Sequence, residues 1–142
     1  MKKLYQHILS LSLVLLTSIP AQAADVVLVV AANSPVVSLD RQEVEDIFLG
    51  KMTSLTRIGK VTPLDRSEEN LRQQFYETYT NKTLSQVKAH WARIIFTGRG
   101  YPPKAVNLDD LKRTLRSNPS AIGYMSADQV DDTLRTIKLN EK

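Results

Sequence analysis

The chain has 142 residues, with 19 Lys and Arg against 15 Asp and Glu, a formal net charge of +4, and no cysteine. Disulfides, thiolate metal sites and a lipid-bearing cysteine are therefore excluded. A charge balance this mild, with acids and bases interspersed, also argues against a nucleic-acid-binding surface.

Lys2 and Lys3 precede an apolar run from Ile8 to Ile19, then Pro20 and the small-residue site Ala21-Gln22-Ala23. This order is that of a bacterial secretory signal peptide over residues 1–23, and the run falls short of the roughly 20 apolar residues a membrane span needs. Cleavage after Ala23 is predicted, leaving one domain over residues 24–142, no stable membrane insertion, and a periplasmic location.

Val26 to Ala32 is a continuous Val-rich apolar run, suited to a strand covered on both faces. Asp40 and Glu43 have capping-box spacing, with Leu39 and Val44 as a hydrophobic staple, so a helix is predicted from Arg41 to about Leu49, ended by Gly50. Arg57 to Leu64 reads as extended, with Gly59 weakening it, Pro63 near its end and room for a turn within it. Ser67 is placed to cap a second helix carrying Leu71, Phe75 and Tyr79. Thr83 and Gln86 form another capping box for a helix over residues 84–96, whose stripe of Leu84, Val87, Trp91, Ile94 and Ile95 is expected to face a sheet, with Gly98 as its stop. Asn107 caps a fourth helix with Leu108, Leu111 and Leu115 inward. Ala121 to Met125 reads as a strand, Ser126 and Gln129 as a short helical turn, and Thr133 to Leu139 as a last strand. The alternation of strands and helices predicts an α/β fold.

Catalytic chemistry finds little support. His90 is the one histidine after residue 23, there is no Gly-x-Ser-x-Gly elbow, and the acidic pairs are sequence neighbours, which point to different sides of a helix. No catalytic residue, metal site or cofactor is predicted. Trp91 is expected in the core, as are Tyr76 and Tyr79 in part.

Three segments carry a family resemblance: Asp46-Ile47-Phe48-Leu49-Gly50-Lys51, the aromatic helix leading to Phe96-Thr97-Gly98, and Pro119-Ser120-Ala121-Ile122-Gly123-Tyr124. In this order they resemble the second lobe of the periplasmic phosphate-binding proteins of ABC transporters, and in particular a short single-lobe branch. The resemblance implies a three-layer α/β sandwich, a single lobe of the type 2 periplasmic binding protein-like fold. It also implies half of an oxyanion cage, built from helix N-terminal N–H groups with hydroxyl and Arg side chains.

The family's Arg followed by a Gly-Ser-Gly-Thr-like turn corresponds here to Asp65-Arg66-Ser67-Glu68-Glu69-Asn70-Leu71. The glycine-rich turn is missing, the family's Arg falls on or beside Asp65, and Glu68 and Glu69 bring carboxylates to the helix start. Arg66 and Ser67 are candidates for the oxyanion, against the plainer roles of a solvated Arg and a capping Ser. Asn33 and Ser34 are candidates because ligands of open α/β sheets sit beyond strand carboxyl ends. Arg99, between two glycines, is a candidate for an anion or a partner protein.

Two readings stand at this level. One is a periplasmic solute-binding-like protein related to phosphate ABC transporter substrate-binding proteins, taking phosphate or another oxyanion. The other is a ligand-free adaptor or sensor subunit that engages an envelope transporter, porin or kinase.

Overall fold

A computed structural model describes residues 24–140, so the expected signal peptide over 1–23 lies outside the described residues. The elements run β1 (Val26–Ala31), β2 (Ser38–Asp40), α1 (Arg41–Phe48), β3 (Ser54–Leu55), β4 (Gly59–Lys60), β5 (Thr62–Arg66), α2 (Glu69–Thr80), α3 (Leu84–Phe96), β6 (Lys104–Val106), α4 (Leu108–Ser117), β7 (Ala121–Ser126), a single 3-10 turn (Ala127–Gln129), β8 (Leu134–Thr136) and β9 (Lys138–Asn140).

Five strands form the main sheet in the order β6-β5-β7-β1-β8. β5 lies parallel to both β6 and β7, whereas β1 is antiparallel to β7 and to β8. Strand alternation splits the core in two. Val26, Leu28, Val30, Ile122 and Tyr124 face the side covered by α2, with α1 and α3 packed around it. Val29, Ala121 and Met125 face α4 through Leu111 and Leu115. The α/β class and layered sandwich expected from the sequence are therefore present. At Gly123 a Cβ would come within 2.5 Å of Leu111 Cδ1, so the missing side chain is what lets α4 lie close on β7.

The capping predictions hold at three helices. Asp40 and Glu43, and Thr83 and Gln86, make reciprocal capping boxes, and Asn107 accepts the Asp110 N–H at 2.9 Å. Gly50 and Gly98 take the left-handed conformation, with φ of +71° and +67°.

One expectation is refined and three change. The stretch over 57–64 does contain a turn: it holds the end of a small β3–β4 hairpin's loop, β4 and the first part of β5, with Gly59 at φ +88° where the loop enters β4. Ser67 does not cap α2: Glu68 is the cap residue, with no side-chain hydrogen bond to the helix. The α3 stripe buries Leu84, Val87 and Trp91 but leaves Ile95 exposed, since α3 packs on α2 and on the end of α1 and not flat on the sheet. His90 Nε2 lies 2.8 Å from Leu49 O at that junction. The last strand is two strands: Ile137 is buried, its N–H donates to Leu28 O, and beyond it the chain leaves β1 to run parallel with β2.

Candidate functional site

β5 and β7 are parallel, so both deliver their carboxyl ends to the same edge of the sheet, where Arg66 and Ser126 stand beside the start of α2. A cleft of about 300 Å³ opens there, lined by Ala24, Arg66, Glu68, Asn70, Leu71, Gln74, Ser126 and Gln129. Arg66 is the largest charged group in it, yet only 1% exposed. Its Nη1 donates to Tyr124 O at 3.4 Å and its Nη2 pairs with Glu68 Oε2 at 2.8 Å, while Nε is buried with no hydrogen-bond partner. A buried guanidinium with a spare N–H holds unused donor capacity. Glu68 is half-exposed and makes no cap bond, so its carboxylate is free to serve Arg66 from the solvent side. Of the four α-helices among the described residues, α2 alone lacks a side chain hydrogen-bonded to its first-turn N–H groups. Those donors meet the cleft at its positive end.

One residue earlier in β5, Asp65 is 2% exposed and turned into the α2 layer. Its carboxyl group accepts hydrogen bonds from Arg66 N–H at 2.9 Å, from Arg72 Nε at 3.2 Å, from Tyr76 Oη at 3.2 Å and from Tyr124 Oη. Phenols, a guanidinium and a backbone amide are the donors an oxyanion site uses, and here a side chain of the chain itself fills that role. Arg72 and Tyr76 are four residues apart on α2 and so share a face. Phe75 stacks on the Tyr124 ring with centroids 3.8 Å apart, which fixes where that phenol points.

Burial, and then the neighbouring Asp65 carboxyl group, push the phenols of Tyr76 and Tyr124 far above the ordinary tyrosine range. The folded protein thus keeps these protons where the unfolded chain, with pKa about 10, releases them. Their contribution to stability is full below about pH 10 and is lost above it, at up to about 1.4 kcal/mol per pH unit for each phenol. Alkaline titration followed at the tyrosinate absorbance band is expected to show these two phenols ionising only together with loss of the far-UV helical signal. Their smooth ionisation in a still-folded protein would contradict the assignment.

Of the residues proposed from sequence, Arg66 lines this cleft and Ser67 lies next to it, exposed, its N–H donating to Val106 O. Asn33, Ser34 and Arg99 lie at the opposite end of the sheet. β1 runs antiparallel to β5 and β7, so its carboxyl end, followed by Asn33 and Ser34, points away from Arg66. Asn33 is exposed, and Ser34 is committed to the loop, donating to Pro119 O at 2.6 Å and accepting from Val36 N–H at 3.2 Å. Arg99 is exposed on the loop leading into β6, which is parallel to β5. Sequence reasoning missed Asn70 and Gln74, one helical turn apart on α2, and Tyr124 as an Asp65 donor. The four-residue spacings on α2 are the signal that leads to Gln74 and to the Arg72–Tyr76 pair.

No family model and no curated protein matches the chain. Solved structures do. An ABC-type phosphate transport receptor from Vibrio cholerae superposes with a TM-score of 0.61 at 18% identity, over 82% of this chain and 46% of the receptor. A structure described as a phosphate ABC transporter substrate-binding protein with bound phosphate, from Clostridium perfringens, gives 0.60 at 19% identity, over 82% and 45%. PstS from Borrelia burgdorferi gives 0.58 at 11% identity, over 82% and 47%. This chain spans a little under half the length of each of them. What it shares with these phosphate-transport binding proteins is their fold, over the extent of a single lobe.

Proposed function

We propose that this chain is a solute-binding-type protein of the bacterial periplasm, released by cleavage after Ala23, whose Arg66 cleft takes a small oxyanion of the phosphate class for an ABC transporter. One observation carries the reading. A guanidinium that is 1% exposed, with an unfilled N–H, stands at the carboxyl end of a central strand, against a helix start that no side chain caps. Buried charge with spare donors is costly, and a bound oxyanion repays that cost through charge-assisted hydrogen bonds. The fold adds support, since the Clostridium perfringens relative in shape has phosphate bound. Glu68 is then a resident competitor: it neutralises Arg66 when the cleft is empty and swings into solvent when an oxyanion enters.

Calorimetric titration of the chain from residue 24 onward with inorganic phosphate and with sulfate tests this. Glu68→Gln is expected to tighten binding by about tenfold, because the internal competitor loses its charge. Arg66→Ala is expected to abolish the heat, and Arg99→Ala, altered at the far end of the sheet, to leave it unchanged. No heat with either anion, for both the unaltered protein and Glu68→Gln, overturns the proposal.

A further inference from the structure

The end of the sheet opposite Arg66 carries a surface that the oxyanion reading does not use. Two stretches meet there, residues 51–64 and residues 82–106, and neither contains a single Asp or Glu. At their junction lies a cleft of about 290 Å³ lined by Ile47, Met52, Pro63, Trp91, Tyr101 and Pro103, among others, with Lys60 as its charged lining residue. Beside it, Phe96 is 92% and Tyr101 83% exposed, and Ile95 is exposed as well. Arg99 N–H donates to Ile94 O and Gly98 N–H to Ile95 O, so the chain turns tightly at the end of α3 before running on through Tyr101 to β6.

Lys60 lines the cleft, and Arg93, Arg99 and Lys104 stand on the end of α3, the loop after it and the start of β6; all four are exposed, and none makes an ion pair among the described residues. Many other cations are paired, Lys51 and Lys82 with Glu45, Lys88 with Glu69, Lys112 with Asp131 and Arg113 with Asp110, while Arg57, in the same acid-free stretch, is exposed and unpaired among the described residues, as are Arg116 and Lys138 on other elements. Exposed aromatic residues at an acid-free end of the sheet that carries unpaired positive charge have the composition of a recognition patch rather than of an idle surface.

We propose that this face docks an acidic segment of a partner protein, with an apolar side chain of that segment entering the cleft over Trp91. Charge complementarity selects the partner: four uncompensated cations steer carboxylates toward the patch, and Phe96 and Tyr101 supply the dehydrating contact. The concavity favours a peptide side chain over a lipid surface, which offers no protruding group to fill it. This docking is independent of the Arg66 cleft, because the two sites lie at opposite ends of the sheet.

Trp91 is the single tryptophan of the chain and lies in the cleft, so its emission reports on occupancy. The test titrates the protein with a short synthetic peptide of Glu and Leu around a central Phe. Its controls are the same peptide with Gln replacing Glu and vesicles of phosphatidylglycerol. The acidic peptide is expected to shift Trp91 emission and to give a calorimetric affinity that falls about tenfold when salt is raised severalfold. Lys60→Glu combined with Arg99→Glu is expected to weaken binding by about tenfold or more, and Phe96→Ser by a similar factor. Phe96 is almost wholly exposed, so its loss leaves the urea-unfolding midpoint unchanged. Equal affinity for the Gln peptide, indifference to the charge reversals, or binding to vesicles without binding to the peptide each overturns the proposal. None of these outcomes alters the heat of phosphate binding at Arg66.

Discussion

Asp65→Ala is expected to destabilise the protein by about 3–5 kcal/mol, seen as a lower urea midpoint at an unchanged denaturant slope. The carboxyl group is the shared acceptor for Arg66 N–H, Arg72 Nε and the phenols of Tyr76 and Tyr124. Removing it orphans several buried donors at once, and an unmet buried donor costs about 1–3 kcal/mol. The donors are not independent, so the total falls below their sum. Tyr124→Phe removes one bond while its ring keeps the stack on Phe75, and about 1–2 kcal/mol is expected for it. If Asp65→Ala costs no more than Tyr124→Phe, the carboxyl group does not organise the cluster. Formate added to Asp65→Ala supplies a free acceptor of the right chemistry and is expected to raise the midpoint in a concentration-dependent way.

Gly50→Ala is the second large effect, at roughly 2–4 kcal/mol. Gly50 ends α1 at φ +71°, and a Cβ there would lie 2.6 Å from Trp91 Cη2. Two penalties combine: the left-handed backbone, about 1–2 kcal/mol for a residue with a side chain, and the displacement of a rigid ring at the α1–α3 junction. Gly98 separates them, because it has φ +67° with nothing within 4 Å of its would-be Cβ. Gly98→Ala is therefore expected to show the backbone penalty alone. In a double-mutant cycle, Trp91→Leu is expected to recover part of the Gly50→Ala loss, and a cycle with no coupling would place the whole effect in the backbone.

Local signals were legible in the sequence where the physics is local. The capping boxes at Asp40 and Thr83 and the glycine stops at 50 and 98 lie within four residues of the helix ends they define, and each is present. Strand direction is not local. Nothing near Val26–Ala31 states that β1 will run against β7, and that long-range pairing is what moved Asn33 and Ser34 away from the Arg66 end. The start of α2 misled for a related reason. Ser67 has the better side chain for a cap, but its N–H is drawn to Val106 O by the β5–β6 edge, so the cap position falls one residue later, on Glu68, and the helix begins at Glu69. At Asp65 the sequence marked the right position, where an acid stands in place of the expected arginine. Its four donors come from β5, α2 and β7, and only the fold brings them together.

The pairing of β8 with β1, and of β9 with β2, carries a kinetic consequence. The earliest strands find these neighbours in residues 134–140, a hundred or more positions downstream, so this part of the architecture cannot close until residues 134–140 have been synthesised. Such sequence-distant closure slows folding and leaves β1 with a naked edge until the tail arrives.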